Sequence, residues 1–305
     1  MLKCDNPESI FGPTESHDLV AGWAGDFLEV QLVSDLGKKR QNNEDACMLH
    51  VPESESQFEA RGILIAVADG MGGASAGEHA SHKTLECIQE KYFDTSTHSL
   101  IPSALKHAVE AANAVVFEES EQNPAYTGMG TTVSVLAVMG EWAYIAQVGD
   151  SRIYLLRPGE TLKQLTNDHS LVAEQIRNGL INEEEARNHS LKNLITRAVG
   201  IKDTVEVDLF AVRLQEGDRL LLCSDGLSNM VEDDMIAACL DGDNLKKSTE
   251  ELVQCALAAG GHDNITAVTA LVTAAPPTTH YQQGARIVSF NPPGLLQKLW
   301  RIFER

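Results

Sequence analysis

Basic residues are scarce in this chain: 24 Lys and Arg stand against 44 Asp and Glu among 305 residues, a formal net charge of −20. That shortage excludes a general nucleic-acid binder, which needs a basic footprint to meet phosphates. Long apolar runs are also missing. None approaches the roughly 18 residues of a membrane span, and the opening MLKCDNPES lacks the apolar stretch of a secretory signal. The six cysteines, Cys4, Cys47, Cys87, Cys223, Cys239 and Cys255, form no CxxC pair, and Cys223 closes the apolar run LLLC. This usage reads as free thiols in a reducing compartment, not as disulfides or a zinc site. A cytoplasmic location is the expectation. No internal repeat occurs.

Apolar residues make up 43% of the chain, enough to bury a substantial core. The acid excess reads either as solubility or as carboxylates that converge on cations. Residues 1–29 show no sustained period and read as an N-terminal extension. From residue 30 to 274 short β-type runs rich in Val, Ile, Leu and Thr alternate with amphipathic helical stretches. The runs cover 28–33, 62–68, 131–139, 142–148, 152–156, 219–223 and 265–272. Helical spacing covers 77–91, 102–119, 170–178, 231–240 and 244–258. The runs at 131–139 and 142–148 flank Gly140-Glu141 as a hairpin, and 152–156 extends it to a meander. Without strict βαβ alternation, the pattern predicts an α+β fold of antiparallel sheets covered by helices. Residues 275–305 read as a Pro-containing linker and a short amphipathic helix, LLQKLWRIFER.

The informative pattern is that buried-type strands stop at acids. ILIAVADG ends at Asp69-Gly70, RLLLCSDG at Asp225-Gly226 and AYIAQVGD at Asp150. Asp263-Asn264 precedes ITAVTALV, and Asn43-Glu44-Asp45 follows the first run. A single Asp-Gly after a strand is an ordinary turn. Several acids on the rims of strands sharing one core would repel one another unless a cation neutralised them. All-oxygen ligation suits Mg²⁺ or Mn²⁺ better than zinc. DGMGGASAGE could also be a phosphate-cradling loop, but it lacks the GK[ST] ending of a P-loop.

These residues resemble the motifs of the protein phosphatase 2C family. The resemblance lies in Ser34-Asp35-Leu36-Gly37, Arg40, Asn43-Glu44-Asp45, Asp69-Gly70-Met71-Gly72-Gly73 and Gly128-Met129-Gly130-Thr131-Thr132. It continues in Gly149-Asp150-Ser151-Arg152, Ser224-Asp225-Gly226-Leu227 and Asp263-Asn264-Ile265-Thr266. The DGMGG form is similar to the bacterial branch.

The resemblance implies a four-layer α-β-β-α sandwich of two antiparallel sheets flanked by helices. It implies two core Mn²⁺ or Mg²⁺ ions, with a weaker third. By position, Asp69 would bridge the core ions and the Gly70 carbonyl would bind the second. Asp225 and Asp263 would complete the first, and Asp150 with Asp225 would hold the third. Glu44 would act through a water on the metal, Asp45 would hold a ligand or the nucleophilic water, and Arg40 would grip phosphate with its planar fork. A bridging hydroxide would attack phosphoserine or phosphothreonine in a protein with no phosphoenzyme. The partners implied are phosphorylated protein substrates and a serine/threonine kinase pathway. A phosphorylated anti-anti-sigma-type regulator is one substrate left open. A binding protein that had kept the fold without catalysis would have lost a ligand, and none is missing.

Met71 departs from the pattern, standing where eukaryotic relatives carry a His proposed as leaving-group acid. The segment 166–200 is similar to the family's variable flap, and within it His169 reads as structural more readily than catalytic. His79 and His82 read as a solvated helix face. The terminal helix would dock on its own domain, on a partner or on a membrane surface.

Overall fold

The two faces of each central strand are both apolar, and this decides the architecture. In β5 (Ile63–Met71), Ile63, Ile65 and Val67 join one buried cluster while Leu64, Ala66 and Ala68 join another. Because successive side chains point to opposite faces, such a strand must be covered on both sides. The computed structural model describes residues 8–14, 18–96, 100–182, 185, 189–279 and 289–291.

One sheet contains β1 (Glu8–Gly12), β4 (Asp45–Val51), β5, β7 (Val133–Met139), β8 (Trp142–Val148), β11 (Asp208–Arg213) and β14 (Ser289–Asn291), in that order. The short β6 (Gly130–Thr131) pairs with β5 off that path. The other sheet runs β10 (Lys163–Gln164), β9 (Arg152–Leu156), β12 (Arg219–Cys223), β13 (Ile265–Val272), β3 (Leu28–Asp35) and β2 (Leu19–Ala24). Between the sheets lie Leu28, Val30, Leu32, Leu49, Ile65, Val67, Leu136, Ile145, Leu220, Leu222 and Val268. Each such side chain removed from water contributes about 1.5–3 kcal/mol.

Helices α2 (Ala74–Phe93) and α3 (Ile101–Gln122) pack on the outer face of the first sheet. On the second sheet lie α6 (Asp233–Leu240) and α7 (Leu245–Ala258). Further short helices are α1 (Glu55–Arg61), α4 (Leu171–Arg177) and α5 (Asp225–Ser228). The result is the expected four-layer α-β-β-α sandwich of two antiparallel sheets, with one difference: β14 runs parallel to β11 at the edge of the first sheet.

The segment read as an N-terminal extension is not outside the sheets. β1 pairs with β4 and β2 with β3, giving each sheet an edge strand. Edge strands bury one face at most, and in β2 only Trp23 is buried, so no continuous apolar run marks them. The expected linker also packs down. Glu141 N–H donates to Pro277 O (3.0 Å), and Thr279 Oγ1 donates to Met139 O (2.9 Å). Both contacts clasp the β7–β8 turn, where Gly140 adopts φ +54. The expected terminal helix lies outside the described residues.

That clasp sits at the opposite end of β7 and β8 from Asp150, so the tail should not serve the chemistry. A chain ending at Ala275 should keep metal-dependent hydrolysis of a small phosphopeptide. It should be less stable by urea unfolding, because the two clasp hydrogen bonds, each worth about 0.5–1.5 kcal/mol, and the pairing of β14 with β11 go with the tail. Loss of activity in a truncated chain with native circular dichroism would place the tail in the site.

Candidate active site

The strand register gathers the acids. Asp45, the first residue of β4, stands directly across from Asp69 near the end of β5. In the second sheet β12 pairs antiparallel with β13, so Asp225 just after one strand and Asp263 just before the other share an end. Asp150 lies where the chain leaves β8 in the first sheet for β9 in the second. Both sheets thus deliver carboxylates to one pit.

Close backbone approach fixes the walls. Gly70 N–H donates to Glu44 O (3.1 Å), which also accepts from Ser81 Oγ (2.7 Å). A Cβ at Gly70 would lie 2.1 Å from Gly77 O, and one at Gly77 would lie 2.4 Å from Glu44 Oε2. Gly70 therefore requires glycine, and a side chain at Gly77 would push the Glu44 carboxylate aside. Asn264 ties its own loop to the β3–β4 connection at three points: its Oδ1 accepts from Glu44 N–H (2.9 Å), and its Nδ2 donates to Leu36 O (2.9 Å) and Asn42 O (3.0 Å). The Asp69 backbone is pinned by Thr132 Oγ1, which accepts its N–H (3.0 Å), and by Thr131 Oγ1, which donates to its carbonyl (2.8 Å).

The carboxylates crowd one another. Burial, then the charges of Asp45, Asp225, Asp150 and Asp263, push Asp69 well above the usual carboxylate range. Burial and the neighbouring charges of Asp225 and Asp168 bring Asp150 up to about 8. Asp225 rises to about 6 through burial and Asp263, against the pull of Asp69, Arg40 and Arg152. Asp45 rises to about 7 because burial outweighs two hydroxyl donors, Thr266 Oγ1 and Ser224 Oγ, each 2.7 Å from its Oδ2. Burial also raises Glu44. Arg40 stands at the mouth, 2.8 Å from Asp263 and half-exposed.

This arrangement fits divalent cations. The donor set is entirely oxygen, ionisation of the group is opposed until a positive charge enters, and Asp150 Oδ1 is buried with no hydrogen-bond partner. Among the described residues no three of the acids, histidines or cysteines close into a tight metal-holding cluster. The carboxylates instead stand around the pit, Asp263 held by Arg40 and Asp225 by Asn229 Nδ2 (3.0 Å).

Every acid singled out in the sequence, with Gly70 and Arg40, is at this pit. The hydroxyl network behind Asp45 was not foreseen. Ser224 and Thr266 hold it, Ser34 bonds Thr266 (2.8 Å), and Asn43 bonds Ser34 (3.0 Å). Its only sequence trace is the polar residues interrupting otherwise apolar strands. His79 and His82 are not a solvated face. His79 pairs with Glu119 (2.6 Å) and stacks on Tyr126, while His82 meets the edge of Phe11. Both rings fasten α2 to its neighbours. His169 is buried.

The raised carboxyls set a pH dependence with a definite sign. They bind protons more tightly folded than unfolded, so their contribution to stability is full below about pH 4 and lost as pH rises through their folded values. Asp208, held low because donors outweigh its burial, acts oppositely and only in acid. In chelator, urea stability should therefore fall from pH 6 to 8, across the values of about 6, 7 and 8 for Asp225, Asp45 and Asp150. Stabilisation by Mn²⁺ should grow over the same interval. A flat profile in chelator would contradict the crowding.

Comparison with known proteins places this geometry. A family model described as protein phosphatase 2C matches residues 37–268. Protein phosphatase PhpP of Streptococcus pneumoniae is 41% identical over 242 residues, 78% of this chain and 95% of the relative. The serine/threonine phosphatase PstP/Ppp of Mycobacterium tuberculosis superposes with a TM-score of 0.71 at 38% identity, covering 81% of this chain and 99% of that one. A structure of the PstP catalytic domain in complex with two manganese ions gives 0.69 at 37% identity, covering 81% and 99%. With the matched segment spanning all the pit's acids, this chain belongs to the protein phosphatase 2C family.

Proposed function

We propose that the pit is the active centre of a protein-serine/threonine phosphatase, which hydrolyses phosphoserine and phosphothreonine by direct attack of water on phosphorus. The observation that carries this reading is the convergence of Asp45, Asp69, Asp150, Asp225 and Asp263 from both sheets, with Arg40 at the mouth. Two Mn²⁺ or Mg²⁺ ions and a weaker third suit the donors; when bound they lower the pKa of water and screen the charge of the phosphate. That screening matters on a chain of net charge −20.

Asp69 would hold both core ions, the Gly70 carbonyl the second, and Asp225 and Asp263 the first. Asp150 would serve the weaker ion with Asp225. Asp45, its Oδ2 held by two hydroxyls, would use its other oxygen to orient water or a ligand. Glu44 would act through water. Arg40 can turn from Asp263 to the phosphate, its fork matching two oxygens.

A covalent route through cysteine is disfavoured by the chain's own thiols. Burial pushes both Cys47 and Cys223 up, so neither supplies a thiolate near neutral pH. Met71 carries no proton for the leaving group, which takes one from water or from another residue. The substrate class follows from relatives named serine/threonine phosphatases. A protein phosphorylated on Ser or Thr presupposes a kinase that this enzyme opposes. The free buried thiols suit the reducing cytoplasm.

Hydrolysis of a phosphothreonine peptide should require Mn²⁺ and stop with chelator; activity that survives thorough chelation would sink the reading. Asp69→Asn should nearly abolish turnover and weaken metal binding by calorimetry, whereas near-normal turnover at saturating Mn²⁺ would remove Asp69 from the core. Arg40→Ala should raise KM about ten- to a hundredfold, the loss of one charge-assisted contact, with metal affinity little changed. An unchanged KM with weaker metal binding would assign Arg40 to the cations.

A further inference from the structure

His169 lies at the root of the segment 166–200, and its ring joins three parts of the chain that the proposed chemistry leaves unconnected. Its backbone N–H donates to Gly149 O (3.0 Å), and Gly149 N–H donates back to His169 Nδ1 (3.0 Å). This reciprocal pair clamps the crossing from β8 to β9 one residue before Asp150. With Nδ1 accepting, Nε2 carries the ring proton and faces Asp208 Oδ2 on β11 (3.2 Å). Asp208 Oδ1 takes Arg197 (2.7 Å), and Thr196 N–H donates to His169 O (2.8 Å). The ring is buried, with 3% of its residue surface exposed.

The partner at Nδ1 matters because of what Gly149 is. It adopts φ +104, and a Cβ there would strike Thr132 at 2.5 Å. Only glycine fits, yet glycine by itself has the widest choice of conformations. An acceptor that fixes its N–H selects one of them, and the next residue is Asp150, whose Oδ1 is buried without a partner.

We propose that His169 is a positioning residue whose Nδ1 lone pair, by holding Gly149 N–H, aims the Asp150 carboxylate at the weaker cation and couples that cation to the segment 166–200. The inference rests on Asp150 being a ligand of that cation, as proposed above. The ring touches neither substrate nor cation; it acts through the Gly149 turn. By linkage the coupling must run both ways. An ion at Asp150 should tighten the segment that carries Arg177 and Lys192.

Two substitutions separate the ring's two nitrogens. In His169→Asn the amide oxygen stands where Nδ1 stood, so Gly149 keeps its acceptor, while Asp208 loses the imidazole and keeps only Arg197. In His169→Gln the amide reaches toward Asp208, and nothing replaces Nδ1. Titration of the full chain with Mn²⁺ by calorimetry reads the core and weak sites apart, and tight core binding certifies that each variant is folded. His169→Gln should weaken the weak site about tenfold, the usual cost of losing an outer hydrogen bond behind a ligand. His169→Asn should stay near the native value. Tryptic cleavage after Arg177 and Lys192 should slow as Mn²⁺ fills the weak site in the native chain and in His169→Asn, but not in His169→Gln. Equal weakening by both substitutions would reduce the ring to packing and overturn the proposal, as would no weakening by either. Asp150→Asn is the reference. If it leaves the weak site intact, the assignment of Asp150 as a ligand fails, an outcome distinct from any produced by the two histidine variants.

Discussion

Mutual repulsion among carboxylates brought to one end of two packed sheets is the constraint on which the rest of this molecule depends. Five aspartates cannot all be charged in a shared, partly dry pit without a counter-charge. The surrounding structure deals with the strain in several ways. Hydroxyls of Ser224 and Thr266 pull Asp45 down against its burial, Asn229 holds Asp225, and Arg40 faces Asp263. These are partial remedies, and the raised carboxyls show that they leave the pit short of positive charge. A pit in that condition is prepared for divalent ions, whose entry exchanges protons for metal.

The position of Arg40 follows from the same shortage. It is half-exposed, so its side chain remains free to reorient, unlike the less exposed pair Arg152–Asp168. In the role proposed for it, an arginine that balances a carboxylate at rest and can meet phosphate on arrival adds no permanent positive charge to the interior. A lysine would offer the charge without the fork, and so without control over the orientation of the phosphate.

Much of this was legible in the sequence because the central strands are buried on both faces. A run such as ILIAVADG gives its strand by continuous apolarity and its rim by the abrupt change to Asp-Gly. The five helices with clear periodicity appear within a few residues of their expected bounds. Strands at the edges were not legible. β1 and β2 bury little, and the chain around them carries Gly and Pro, so their pairing is decided by the neighbouring strand and not by their own pattern. Nor could sequence order reveal that His169 reaches back 20 residues to Gly149, or that Ser224 and Thr266, 42 residues apart, meet on one carboxylate oxygen. Hydrogen-bond partners distant along the chain leave no periodicity to read.

The site draws Asp45 and Asp69 from one sheet and Asp225 and Asp263 from the other, and the side chains between the sheets set their spacing. That makes the pit a gauge of interlayer thickness. A methylene added or removed at Val67 or Leu222, side chains between the sheets and near the rim strands, would alter the gap over which oxygen ligands face each other. Metal affinity and core volume are then not independently adjustable. Sequence drift in the apolar interior, silent for the fold, becomes audible at the mouth of the sandwich.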